Sequence, residues 1–193
     1  MRVKLATAGV LAVTVLALAS LAAAAVINGT EGDDTIVGTR GADLINGLGG
    51  NDQIRALNGG DIVLAGAGND AVRAGDGADT VWGNGGDDKL HGGDGSDIVR
   101  GRGGNDAVYG GGDADQVFAG FGADELYGGY GPDHLYAVAR DGQLDRLDCG
   151  PGRDVATIRA GEPTVVVNCE KVEIVSNDAS TNEPGESDTS EGP

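Results

Sequence analysis

Branched aliphatic residues recur every nine positions along the middle of the chain, each within a short segment between glycine-rich polar stretches. In a three-residue strand, the middle side chain points to one face and its two neighbours to the other. The pattern therefore predicts a series of short β-strands whose central side chains share one core. The twelve predicted core residues are Ile36, Ile45, Ile54, Val63, Val72, Val81, Leu90, Val99, Val108, Val117, Leu126 and Leu135.

An aspartate lies two positions before each of these aliphatic residues, and a glycine lies two positions before each aspartate except Asp115, where Asp113 takes its place. So short a period predicts a solenoid in which neighbouring repeats bury one continuous core. Carboxylates held in the same register predict cation binding. The candidate ligands are Asp34, Asp43, Asp52, Asp61, Asp70, Asp79, Asp88, Asp97, Asp106, Asp115, Asp124 and Asp133. The candidate loop glycines are Gly32, Gly41, Gly50, Gly59, Gly68, Gly77, Gly86, Gly95, Gly104, Gly122 and Gly131.

Each nonapeptide is predicted to contain a six-residue glycine-rich loop and a three-residue strand. Glycine gives such a loop the positive φ angles and close backbone approach that it needs. Because Asp113 replaces a glycine there, we expect its site to be weakened. Other residues replace the second glycine of several units, and we expect the affinity of individual sites to vary with them: Thr30, Thr39, Leu48, Leu57, Asn84 and Arg102.

The net charge of the chain indicates which kind of partner it binds. Thirty-one acidic residues oppose thirteen basic ones, for a formal net charge of −18. This argues against nucleic acid or an anionic membrane and favours cations. The 37 glycines and seven aromatic residues do not suit a conventional globule, and the fixed period argues against disorder. No cluster of catalytic side chains stands out, so we expect the protein not to be an enzyme.

The N-terminal segment, residues 1–25, has the features of a secretory signal peptide. Arg2 and Lys4 precede an uncharged run from Leu5 to Ala25 that ends in small residues. An uncleaved membrane anchor is the alternative, since the run is just long enough to span a bilayer. The alanine-rich end favours cleavage and therefore a secreted, extracellular protein. In that oxidising compartment, Cys149 and Cys169 are expected to pair.

The period ends after the predicted roll, which covers residues 26–136. The next aspartate position holds Gly142, with Asp141 one residue early, and a last echo of the repeat appears at residues 150–154. A solenoid needs its last open turn to be covered. Residues 137–175 are therefore predicted to form a cap that includes strands, and residues 176–193 a disordered acidic tail.

The unit Gly-Gly-x-Gly-x-Asp-x-aliphatic-x, as in residues 92–100, resembles the RTX or haemolysin-type calcium-binding nonapeptide repeat over residues 29–136. The resemblance implies an all-β, right-handed parallel β-roll of twelve half-turns, with Ca²⁺ between each loop and the loop two repeats later. Alternate aspartates would then lie on two edges, the Asp34 edge and the Asp43 edge. Six loops on each edge leave five gaps, hence at most about ten ions. Residues 148–154 and 169–172 are similar to the cap of small stand-alone secreted members of this family.

The residues favour calcium independently of this resemblance. Strands in a sheet are about 4.8 Å apart, and carboxylates at that spacing repel by about 3 kcal/mol at an effective dielectric constant of 20. No Lys or Arg recurs in phase to offset this. A hard cation bound by six to eight oxygens would do so, and calcium suits the pattern better than magnesium. Because the core is thin, we expect folding to be coupled to calcium binding.

One outer face of the predicted roll is apolar and includes Leu64, Trp82, Ile98 and Phe118. Such a patch is a candidate surface for a cell-surface or extracellular partner. Packing between neighbouring turns, or cover by the cap, is the alternative. An adhesion module or an ice- or glycan-binding module on an outer face is the second functional hypothesis. It requires a file of identical outward residues, whereas the outward residues here are mixed.

Overall fold

The computed structural model describes residues 13–16 and 24–176, and only the backbone of residues 13–16. Most of the predicted signal peptide and nearly all of the predicted acidic tail lie outside the described residues. Both assignments, and the boundaries of the predicted segments, therefore stay predictions.

The described chain forms two parallel sheets of nine strands each. Odd-numbered strands form the first sheet: β1 (Val13–Leu16), β3 (Asp34–Val37), β5 (Gln53–Asn58), β7 (Ala71–Asp76), β9 (Lys89–Asp94), β11 (Ala107–Gly112), β13 (Glu125–Tyr130), β15 (Asp145–Asp148) and β17 (Thr164–Val167). Even-numbered strands form the second: β2 (Val26–Asn28), β4 (Leu44–Asn46), β6 (Ile62–Ala67), β8 (Thr80–Gly85), β10 (Ile98–Gly103), β12 (Gln116–Phe121), β14 (His134–Ala137), β16 (Val155–Arg159) and β18 (Lys171–Val175). Successive strands alternate between the sheets, so the chain winds as a parallel β-solenoid. The predicted all-β roll is confirmed.

The register between turns follows the repeat. In the odd sheet Ile54 pairs with Val72, and in the even sheet Val63 pairs with Val81, a separation of two nonapeptides. All twelve predicted core aliphatics are buried, with exposures of 0 or 1%. They form one continuous hydrophobic core between the sheets, as the nine-residue period predicts.

The strands are longer than the predicted three residues. From β5 to β13 each strand has six residues and includes the first three positions of the next nonapeptide, which the repeat pattern predicts as loop. That prediction is wrong because the backbone ladder continues through the glycine-rich segment: Gly50 N donates to Ala67 O at 2.9 Å and Gly68 N to Gly85 O at 2.8 Å. The first position of a unit also faces the core, and Ala56, where it is alanine, is fully buried.

The repeat continues into the predicted cap after an insertion of three residues. Glu125 pairs with Arg146 and His134 with Val155, a separation of 21 residues instead of 18. β17 and β18 then form the last turn, which confirms that the cap contains strands. The Cys149–Cys169 disulfide, also as expected, links the segment after β15 to the segment before β18. Within the described residues, no helix is long and apolar enough to cross a membrane.

Candidate metal centre

The predicted aspartates form two ladders at the two edges of the solenoid. In each step, one carboxylate oxygen accepts a hydrogen bond from the main-chain N–H of the aspartate one turn earlier. Asp88 Oδ1, for example, accepts from Asp70 N at 2.8 Å, and Asp97 Oδ1 accepts from Asp79 N at 2.8 Å. Within the repeats these distances lie between 2.7 and 3.0 Å, and the aspartates are only 1–3% exposed.

The second oxygen of nearly every ladder carboxylate is buried without a hydrogen-bond partner. This holds for eleven of the twelve predicted aspartates, the exception being Asp43. A buried carboxylate oxygen with no partner is costly because it has lost its water. One such group is unusual, and a row of them on each edge indicates a site for a bound species that supplies positive charge.

At several positions along the ladders, a main-chain carbonyl lies beside the carboxylate oxygen that has no partner. A Cβ on Gly110 would lie 2.5 Å from Asp115 Oδ2 and 2.6 Å from Gly128 O. A carboxylate oxygen of one turn and a carbonyl oxygen of the next therefore face the same small space, which a side chain would fill. No three His, Cys, Asp or Glu side chains form a compact cluster within residues 24–176. The donor set consists of paired carboxylates with carbonyl oxygens, the oxygen chemistry that Ca²⁺ takes.

The loop glycines have the predicted backbone conformation in all but the first two units. Nine of the eleven have positive φ, and Gly32 and Gly41 do not. At Gly59, with φ 136°, a Cβ would also lie 2.8 Å from Gly41 O. Asp113 has φ 74°, so this aspartate adopts a glycine-like conformation, as expected. Residues that replace the second glycine of later units do the same: Leu48, Leu57, Asn84 and Arg102.

The first two loops differ because threonine side chains bind their aspartates. Thr39 N and Oγ1 donate to the two oxygens of Asp43 at 2.6 and 2.9 Å, and Ala25 N donates to Asp43 Oδ1 at 2.8 Å. Thr30 N and Oγ1 likewise donate to one oxygen of Asp34. In the sequence these threonines stand out only as departures from glycine. Asp43 is thereby satisfied by the protein itself.

Two further aspartates extend the ladders, although the nine-residue period does not predict them as ligands. Asp145 Oδ1 accepts from Asp124 N at 3.0 Å, and Asp154 Oδ1 accepts from Asp133 N at 2.8 Å. The signal that could have identified both is the retained Asp-x-apolar spacing in residues 145–147 and 154–156, nine residues apart. Within residues 24–176, each edge therefore carries seven aspartates and six gaps, instead of the six aspartates and five gaps predicted.

Comparison with known protein families identifies the family to which these repeats belong. A family model of the RTX calcium-binding nonapeptide repeat matches residues 28–63, 55–90, 64–99, 82–117, 91–126 and 118–137. These matches cover more than half of the chain. The chain belongs to the RTX calcium-binding repeat family. Its described fold and stacked aspartates fit a calcium-binding β-roll. A comparison with curated proteins found no match.

Burial raises the pKa of the RTX ladder aspartates from Asp52 to Asp154, because desolvation penalises the charged carboxylate. The pKa is about 8 for Asp88, Asp115 and Asp124 and about 7 for Asp52 and Asp97, against an ordinary value of 3.8. The hydrogen bond that each accepts from the backbone lowers the pKa, and like charges on neighbouring turns raise it further. The pKa is raised to about 6 for Asp61, Asp70, Asp106, Asp133 and Asp145.

The apolar outer face of the RTX roll is partly occupied by contacts between turns. Phe118 is only 1% exposed, because its ring stacks on Tyr136 at 4.4 Å and the Arg100 guanidinium lies 4.2 Å from the ring centroid. The expectation that Phe118 belongs to an exposed partner surface is therefore wrong, and packing between turns accounts for this residue. Leu64, Trp82 and Ile98 are half-buried.

Proposed function

We propose that this protein is a secreted calcium-binding protein whose folding is coupled to Ca²⁺ bound between successive turns of the roll. The observation that carries the proposal is the row of buried carboxylate oxygens without partners on each edge. The residues that would hold the ions are the ladder aspartates together with main-chain carbonyls of the loops. Bound calcium would supply the positive charge that neighbouring carboxylates need.

Calcium fits this donor set better than other divalent ions. The oxygens are carboxylates and carbonyls from two turns, whereas magnesium requires a strict octahedron and retains its waters. Zinc and copper prefer nitrogen and sulfur ligands. The chain has only two histidines, His91 and His134, and its two cysteines form a disulfide.

Coupling of folding to binding follows from the charge of the ladders. In the folded state the aspartates of one edge are buried in line, and no basic residue recurs with them. Without cations, the folded chain must keep these carboxylates either charged and unpaired or protonated. Binding that occurs only in the folded state stabilises it by mass action.

A calcium titration tests the proposal. Far-UV circular dichroism of the chain in EGTA should show little β-structure at pH 8, and millimolar CaCl₂ should produce the β signal while equal MgCl₂ does not. Asp97→Asn should shift the midpoint to higher calcium, because it removes an oxygen from two adjacent gaps. The matched control is Asp87→Asn, a substitution at an exposed loop position where other turns already have asparagine, and it should leave the midpoint unchanged. A chain already fully β in EGTA and unaffected by calcium would contradict the proposal.

Secretion is the second part of the proposal, and it is supported by the composition of residues 1–25. Intact mass measurement of protein from the culture medium tests it. The expected product begins at residue 25 or 26 and contains the Cys149–Cys169 disulfide. A full-length chain that remains with the membrane fraction would favour the anchor instead.

A further inference from the structure

We infer that the calcium ladder continues into the cap, where Asp154, which lies outside the residues that match the family, forms a further calcium site together with Asp133. The inference rests on the proposed function, because it extends the same kind of site by one turn. Its basis is a segment, residues 149–157, that deviates from the repeat in sequence but occupies the position of one more repeat.

The backbone of this segment continues the loop stack. Gly129 N donates to Cys149 O at 3.2 Å, and Gly131 N donates to Pro151 O at 3.3 Å. The second of these bonds joins the same two loop positions as the bond from Gly68 N to Gly85 O within the repeats. The three inserted residues are therefore accommodated before the segment, and its carbonyls meet the preceding turn as those of a regular nonapeptide do.

The carboxylates of the segment also match the repeats. Asp154 is fully buried and Asp133 is 1% exposed. Asp154 Oδ1 accepts from Asp133 N at 2.8 Å, and Oδ2 of both residues is buried with no hydrogen-bond donor. The carboxyl of Asp154 also interacts with that of Glu170, a like charge that raises the pKa of Asp154. The gap between these two aspartates thus has the same unsatisfied oxygens as the gaps within the repeats.

A main-chain carbonyl oxygen that could bind the cation completes the correspondence with the repeats. A Cβ on Gly128 would lie 2.7 Å from Asp133 Oδ2 and close to Cys149 O, the arrangement seen for Gly110, Asp115 and Gly128 one turn earlier. The disulfide-bonded Cys149 therefore presents its carbonyl where a repeat presents that of glycine. In the next turn Glu170 takes the position of the aspartate, since Asp154 N donates to its Oε2 at 2.7 Å. Glu170 is exposed, so the row of buried carboxylates ends at Asp154.

The cap loop on the other edge does not reproduce this arrangement. There Gly122 N donates to the side chain of Asp141 at 2.6 Å instead of to a main-chain carbonyl. Asp154 has a buried carboxylate oxygen without a partner, whereas Asp145 does not. The inference is therefore confined to the Asp133–Asp154 gap.

Counting bound ions by native mass spectrometry tests the inference, with CaCl₂ as the probe and the whole chain as the sample. Asp154→Asn should bind one Ca²⁺ fewer than the unaltered protein, while the amide oxygen that this substitution introduces can still accept the hydrogen bond from Asp133 N. Asp133→Asn should bind two fewer, because Asp133 would border a gap on each side. Asp97→Asn, in the interior of the same edge, should also bind two fewer, and the control Asp87→Asn should bind the full number.

The outcomes separate this inference from the proposed function. If Asp154→Asn keeps the full number of ions and Asp133→Asn loses only one, the ladder ends at Asp133 and the inference is overturned, while the loss of two in Asp97→Asn still supports the proposed function. If no variant, including Asp97→Asn, changes the count, the proposed function fails as well. If Asp154→Asn loses its cap structure, the ion count of Asp133→Asn provides the test instead. A loss of two ions supports the inference, and a loss of one overturns it.

Discussion

At the scale of single residues, the two oxygens of a ladder aspartate have different partners. One oxygen accepts a main-chain N–H from the preceding turn, and this bond fixes the side chain inside the loop. The other has no partner in the protein in any of the twelve predicted aspartates except Asp43. A side chain with only one acceptor atom could satisfy the backbone but would leave none for a cation, which explains why a carboxylate occupies this position in every turn.

Asp113 provides a test of loop strain. Its φ of 74° is easily adopted by glycine, and its charge contributes to raising the pKa of Asp97 and Asp115. We expect Asp113→Gly to stabilise the calcium-loaded protein by about 1 kcal/mol, since a left-handed conformation costs a non-glycine residue about that much. Urea unfolding in saturating calcium measures the effect. Asp113→Asn removes the charge but keeps the Cβ, so it should gain less; an equal gain would assign the effect to charge instead of backbone strain.

Much of the site could be predicted from residue spacing alone, because a period of nine fixes both the core aliphatics and the aspartates. The threonine contacts could not, since the sequence shows that Thr39 replaces a glycine but not that its hydroxyl reaches Asp43. Whether Phe118 is exposed or packs between turns could not be decided from the sequence either. Strand alternation identifies outward residues but takes no account of stacking against Tyr136 on the next turn.

At the scale of strands and loops, two differences from prediction have physical causes. The strands are six residues long because glycines with positive φ bend the chain without interrupting the hydrogen-bond ladder, as at Gly66 and Gly75. The nine-residue period does not predict Asp145 and Asp154, because a three-residue insertion moves them out of phase with the earlier aspartates. The pairing of turns tolerates that insertion, since it lies in a loop outside the sheets.

The ladders predict an unusual dependence of stability on pH. Burial raises the pKa of Asp88, Asp115 and Asp124 from 3.8 to about 8, so between pH 4 and 8 the metal-free folded chain binds more protons than the unfolded chain. Its stability is therefore greatest at the acidic end of this range and is lost as the pH rises through the folded-state values. Calcium competes with these protons, so its affinity should rise over the same range.

Circular dichroism of calcium-depleted protein at pH 5 and at pH 8, in buffers freed of calcium by a chelating resin, checks this expectation. The metal-free chain should contain more β-structure at pH 5, and calcium should restore the β signal at pH 8. A metal-free β signal that increases with pH would show that the carboxylates are not buried as a ladder without the metal.

The disulfide is expected to stabilise the cap and not the whole solenoid. Cys149 occupies a core position that is alanine in several repeats, so the double variant Cys149→Ala/Cys169→Ser should fold. A bond that closes a loop of this size contributes about 3 kcal/mol in the chain-entropy model. Because each turn of a solenoid contacts only its neighbours, the loss should be local. Hydrogen exchange in saturating calcium should accelerate in β15–β18 and remain unchanged in β5–β11, whereas uniform acceleration would indicate that the solenoid unfolds as a single unit.

At the scale of the whole molecule, the net charge of −18 and the thin core predict a large change in size upon calcium binding. An unfolded chain of this length has a radius of gyration of about 47 Å, and a compact one about 16 Å, with an elongated solenoid somewhat larger. Small-angle X-ray scattering in EGTA should give a value near the upper figure at pH 8, and CaCl₂ should move it toward the lower. Charge screening alone could also contract the chain, so NaCl and MgCl₂ at matched ionic strength are the necessary controls. Screening reduces repulsion without supplying ligands to the buried oxygens, and these salts should therefore leave the chain expanded and without β-structure. Equal compaction by all three salts would mean that repulsion, and not an unfilled set of calcium ligands, keeps the metal-free chain open.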